Sequence, residues 1–166
     1  SNNPGIANVD MNQLQFVSDF LALPLAKIFG VFLFFFMGGY LFYGALFAAI
    51  GSAVDSETDT QQFMLPITMP LIFSIAISFS IVVGDPNGTL ATWMSIIPLT
   101  SPVTMMVRLP FMDESHNWQI YLSIMVMLLS IFGAIAVAGK IYRTGILMYG
   151  KKVSYKELAK WLFYKN

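Results

Sequence analysis

No charged side chain stands between Lys27 and Asp55, a run of 27 residues, whereas a helix needs only about 20 to cross the hydrocarbon core of a bilayer. The segment from Phe32 to Ala53, FLFFFMGGYLFYGALFAAIGSA, therefore reads as a membrane span. Its second half is patterned as well. Gly44, Ala48 and Gly51 recur at helical spacing beside Ala45, Ala49 and Ser52, which leaves one helix face almost bare of side chains. Such a face lets another helix come close, because lipid supplies no hydrophobic drive for association and packing has to supply it.

Two more stretches behave alike. The gap from Asp59 to Asp85 holds 25 uncharged residues, with Phe63 to Val83 as the second span. Its residues 73 to 81, FSIAISFSI, alternate with the period of a strand. Yet Pro66, Pro70, Ser74 and Ser78 stack at intervals of four, and a lone strand cannot satisfy its backbone in lipid. A helix is expected, loosened near Pro70, with its serine face turned toward other helices. The third span, Gln119 to Gly139, has Trp118 and Tyr121 at one border and Lys140, Tyr142 and Arg143 at the other, the usual interfacial flanking. Ser130, Ala134 and Ala138 give it a second packing stripe.

Composition fits this reading: 57% of residues are hydrophobic and 11% charged, against about a quarter charged in soluble domains. The nine basic and nine acidic residues cancel, so a nucleic-acid partner has no electrostatic support. Seven of the nine basic residues follow the last apolar run, which places the C-terminus in the cytoplasm by the positive-inside rule. The absence of cysteine removes disulfides, thiol catalysis and cysteine-based metal sites together.

Between the second and third spans, residues 84 to 118 open with the turn signal DPNG. They go on through Pro98, Thr100, Ser101, Pro102 and Thr104 to Arg108 and Pro110. Broken backbone at membrane depth is tolerated only where protein or a water-filled cavity surrounds it, so a re-entrant or hairpin-like element is expected. Arg108 is the only basic residue between Lys27 and Lys140. Asp113 and Glu114 are its candidate partners. Two readings of it stand, a gate or vestibule residue and an interfacial arginine on a lipid phosphate. His116 reads as a surface residue, since no second histidine exists to join it in a metal site.

The expected organisation is an extracytoplasmic, interfacial lead (1–25), a span (26–54) opened by Pro24, and a cytoplasmic acidic loop (55–62). A second span (63–83), the extracytoplasmic re-entrant region (84–118), a third span (119–140) and a cytoplasmic tail (141–166) follow. The acidic loop, with Asp55, Glu57 and Asp59, lacks the glycine and bidentate glutamate of a calcium loop. In the lead, Val9 to Leu21 shows a loose helical period. In the tail, Ser154 and Glu157 form a capping box that opens an amphipathic helix. The opening SNNPGIANVD has no signal-peptide pattern, and the chain starts without methionine, so a piece of something longer is expected. The fold class is all-α integral membrane: three transmembrane helices, a proline-broken re-entrant element and a C-terminal amphipathic helix.

No nucleotide-binding, metalloprotease or serine-hydrolase motif is present; the chain has the makings of a passage and not of a reaction. Three stretches together resemble the membrane permease subunits of ABC exporters of the ABC-2 type, in the sodium or drug efflux branch. They are FFFMGGYLFYGALFAAIGSAVDSETDTQQFMLPITMP (Phe34 to Pro70), SIIPLTSPVTMMVRLP (Ser95 to Pro110) and KIYRTGILMYGKKVSYKELAKWL (Lys140 to Leu162).

The resemblance implies a multi-pass protein of the inner (plasma) membrane, of which this chain is the C-terminal half. It implies four kinds of partner: an ABC ATPase subunit, a second permease copy or a related permease in a dimer, the N-terminal half of the same polypeptide, and membrane lipid. The chain itself is then no enzyme and holds no cofactor, ATP and magnesium being bound by the ATPase. Carried over, the resemblance assigns Pro98, Thr100, Ser101, Pro102, Met105 and Arg108 to the exit region of an alternating-access pathway. A reading from another class is a membrane scaffold or assembly protein that transports nothing.

Overall fold

The computed structural model describes residue 18, residues 24–54 and residues 56–147. Three long helices dominate them. Helix α1 runs Leu25–Ala53, starting directly after Pro24, whose fixed φ suits a helix entrance. Its 29 residues measure ~44 Å at 1.5 Å per residue, well beyond a ~30 Å hydrocarbon core. Helix α2 runs Glu57–Ile77, six residues ahead of the expected start at 63. Glu57 and Asp59 lie in its first turn, where the positive end of the helix dipole favours carboxylates, so residues 57–62 of the expected loop are helix.

Pro66 and Pro70 sit inside α2 without interrupting it. Pro70 has no N–H to offer the carbonyl four residues back, which belongs to Pro66. Nearby hydroxyls turn back onto the helix: Thr68 Oγ1 donates to the Met64 carbonyl at 3.0 Å and Ser74 Oγ to that of Leu71 at 2.7 Å. The loosening comes later than Pro70, as a π-helical turn at Ser78–Val82, closed by Val83 N–H to the Ser78 carbonyl at 3.2 Å.

Two short helices follow. They are α3, Thr89–Ile96, and α4, Ser101–Arg108, with 3₁₀ turns at Leu109–Phe111 and Glu114–His116 leading into α5, Trp118–Leu147. In the turn before α3, a Cβ at Gly88 would lie 2.2 Å from Asp85 Oδ2, so a larger residue there would displace that carboxylate.

Helices α1 and α5 run parallel and form the main seam. Lys27 Nζ donates to Asn117 Oδ1 at 2.7 Å at one end. Gly38 faces Met127 and Ile131 in the middle, and Ala49 and Ala53 pack with Ile141 toward the other end. The core, with Phe35, Phe42, Tyr43, Met105, Met127 and Ile131 among its members, lies between this seam and α4. Outward-facing residues are as apolar as the core: Phe29, Tyr40, Phe73, Leu129 and Phe132 are all well exposed. That inversion is what a bilayer imposes. The three long helices are each long and apolar enough to span it, and the expected all-α membrane fold is the one observed. Apart from residue 18, the lead segment from Val9 to Leu21 lies outside the described residues, as do Asp55 and the tail helix opening at Ser154 and Glu157.

Candidate functional site

Helices α3 and α4 form a helical hairpin that enters the bundle from the end marked by Lys27 and Asn117. At its tip the Tyr43 hydroxyl of α1 donates to the Leu99 carbonyl, and Ser101 Oγ meets Met127 Sδ of α5 at 3.9 Å. Met127 is nine residues into α5, so the tip reaches ~14 Å past Trp118, about half of a ~30 Å core. The tip is part-buried, with Ile97 exposed, and its backbone is met by protein groups, Tyr43 donating to the Leu99 carbonyl and Thr100 to that of Met94.

Arg108 holds the hairpin together. It ends α4, where the negative end of the helix dipole favours a cation, and its side chain is fully buried. Nε donates to the Pro86 carbonyl, Nη1 to Ser95 Oγ at 2.8 Å and Nη2 to Thr92 Oγ1 at 3.1 Å. Thr92 and Ser95 are three apart on α3 and share a face, as the guanidinium fork requires. The expected acidic partners do not take part. Asp113 instead accepts from Asn87 Nδ2 at 2.7 Å, clamping the hairpin mouth, and Glu114 is exposed. Arg108 is thus buried among neutral acceptors of its own hairpin.

Further hydroxyls join the hairpin to the long helices. Ser123 of α5 donates to the Ser95 carbonyl, so Ser95 serves Arg108 through its side chain and α5 through its backbone. Ser78 of the π turn donates to Thr104 of α4 at 3.3 Å. Thr100, which precedes α4, donates to the Met94 carbonyl at 2.6 Å. Gln119 Oε1 is buried without a hydrogen-bond partner among the described residues.

The six residues assigned to an exit region thus share one hairpin. Pro98 and Thr100 make its tip, Ser101 faces α5, and Met105 is in the core. Pro102 lies so close to Gly39 of α1 that a Cβ there would meet it at 3.0 Å. The packing residues divide. Ala134 is buried, Ala138 packs on the second cluster, and Ser130 returns its hydroxyl to the Val126 carbonyl at 2.7 Å. Gly44, Ala48 and Gly51 are exposed, with open space over both glycines; the face of α1 that meets α5 is instead Gly38, Phe42, Ala49 and Ala53. Sequence reasoning missed Gly39, Tyr43, Thr92, Ser95 and Ser123. Hydroxyls recurring once per turn inside apolar runs were the available signal.

Residues 14–140 match the family model described as ABC-2 family transporter protein. The uncharacterized protein YhaP of Bacillus subtilis is 30% identical over 128 residues, covering 77% of this chain and 30% of its own length. The uncharacterized protein MJ1024 of Methanocaldococcus jannaschii is 30% identical over 133 residues, covering 80% of this chain and 32% of its own. The chain therefore spans about a third of the length of these curated relatives. No solved structure matches it.

Proposed function

The chain belongs to the ABC-2 transporter family, and from that premise we propose that it is part of the permease of an ATP-driven exporter. In this reading it lines a translocation pathway in the inner membrane, with its C-terminus in the cytoplasm and the hairpin on the outer side. A separate ATPase subunit binds ATP and magnesium and does the hydrolysis. The remaining portion of the longer polypeptide and a second permease copy complete the bundle. The observation that supports the reading is the helical hairpin whose tip packs on α1 and α5, ~14 Å along α5 from Trp118, beside three helices long and apolar enough to span a membrane. A purely structural anchor has no need to keep broken backbone at that depth.

Alternating access requires the ATPase to bind two permease states with different free energies. The hairpin, locked internally by Arg108 and joined to the spans by single neutral hydrogen bonds, is the element suited to shift between them. The test uses inverted vesicles containing the complete protein and its ATPase. Addition of ATP should drive uptake of sodium or of a lipophilic dye, and Arg108→Ala should reduce that uptake while the protein still inserts. Uptake of both probes that is equal with and without the permease overturns the reading.

A further inference from the structure

We infer that the hairpin of α3 and α4 has a second position against α5, in which the Arg108 guanidinium donates to the side-chain oxygen of Gln119. Gln119 is 4% exposed, and its Oε1 has no hydrogen-bond partner among the described residues. A buried acceptor in that condition is a standing cost, and native structures keep few of them. Arg108 has the complementary surplus. Its guanidinium carries five N–H groups, and its acceptors among the described residues are the Pro86 carbonyl and the Ser95 and Thr92 hydroxyls. Two donors are thus held in reserve on a fully buried side chain.

Register brings the two surpluses to one depth. Helices α3 and α5 both run inward from the hairpin mouth, and the Ser123 hydroxyl of α5 donates to the Ser95 carbonyl of α3. Gln119 precedes Ser123 by four residues, ~6 Å toward the mouth on the same face. Thr92 precedes Ser95 by three, ~4.5 Å toward the mouth, and its hydroxyl takes Arg108 Nη2 at 3.1 Å. The gap left to close is therefore lateral. Only neutral contacts oppose a roll of the hairpin: Ser123 to Ser95, Ser101 to Met127 Sδ at 3.9 Å, and Ser78 to Thr104 at 3.3 Å. The bond gained is charge-assisted, roughly twice as strong as a neutral one. Neither partner has a hydration shell to lose, since both are already buried. The inference rests on the permease reading and gives it a named contact by which the second state differs from the first.

The complete protein and its ATPase are reconstituted in vesicles, with spin-labelled cysteines in place of Trp93 of α3 and Phe132 of α5, both exposed, and labelled copies diluted into unlabelled ones. Double electron–electron resonance should give two distances, the minor one rising several-fold with a non-hydrolysable ATP analogue. Gln119→Met should abolish the minor distance. Gln119→Glu, which offers the arginine a full negative charge, should raise its share several-fold. Opposite responses to two side chains of similar size are not what a packing role for Gln119 produces. A single distance under all conditions, or a minor distance indifferent to both substitutions, overturns the inference. ATP-driven uptake by the same vesicles separates the two failures: uptake with a single distance removes this inference and leaves the permease reading standing.

Discussion

Arg108 Nη1 lies 2.8 Å from Ser95 Oγ, joining the end of α4 to the end of α3, while the backbone carbonyl of that serine accepts from Ser123. One residue of a short helix thus ties the hairpin to itself and to a span. Arg108→Ala leaves the buried Ser95 hydroxyl and the part-buried Thr92 hydroxyl and Pro86 carbonyl without their donor, at up to about 1–3 kcal/mol for a fully buried group and less for the others. The expected result is a large fall in thermal stability in detergent, with membrane insertion retained on alkaline extraction. Arg108→Lys should recover only part of the loss, since an ammonium has no fork to reach three acceptors. An unchanged melting temperature for Arg108→Ala would contradict the assignment.

Tyr43→Phe keeps the ring in the core and strips the hydroxyl from the Leu99 carbonyl. A cost of about 1–2 kcal/mol is expected. Hydrogen exchange should show it locally, with amides of residues 99–101 losing protection and those at the middle of α5 unaffected.

Gly39 and Gly44 should respond in opposite directions. A Cβ at 39 meets Pro102 at 3.0 Å, whereas at 44 it meets nothing within 4 Å. Gly39→Leu should cost about 1–3 kcal/mol by driving the hairpin off α1. Gly44→Ala should raise helix stability by up to about 1 kcal/mol. Thermal melts of both variants decide this. A loss at Gly44→Ala confined to the complete protein would reveal that another helix covers the Gly44, Ala48 and Gly51 stripe there.

Gln119→Met replaces a buried side-chain oxygen that lacks a partner among the described residues with an apolar group of similar length. A gain of about 1 kcal/mol is expected, as a buried acceptor without a donor is a net cost. A loss of stability would show that the oxygen receives a hydrogen bond in the membrane.

The three spans were legible because an uncharged run long enough to cross a bilayer is read directly from the order of residues. Prolines at 98, 102 and 110 also announced an interruption between the second and third. The depth of the hairpin and the partners of Arg108 were not legible. Pro86, Thr92 and Ser95 lie 22, 16 and 13 residues before it, and nothing in their spacing distinguishes them from other turn and hydroxyl residues. Nearby Asp113 and Glu114 looked better on charge, yet Asp113 is used by Asn87 at the mouth. The π turn was equally hidden, since the visible breaker, Pro70, sits eight residues before Ser78 in helix that continues regularly. Small-residue spacing marked both stripes but could not say which one this chain covers, because Gly44 and Ala134 obey the same rule.

Arg108 is a permanent monovalent charge whose hydrogen-bond partners among the described residues, Pro86, Thr92 and Ser95, are all neutral. A cation approaching within ~7 Å of it meets a repulsion of about 2 kcal/mol at an effective dielectric of 20, and an anion gains as much. Near the hairpin mouth, then, the buried charge of Arg108 sets the sign of the local field, so that an anion is favoured there over a cation of equal size.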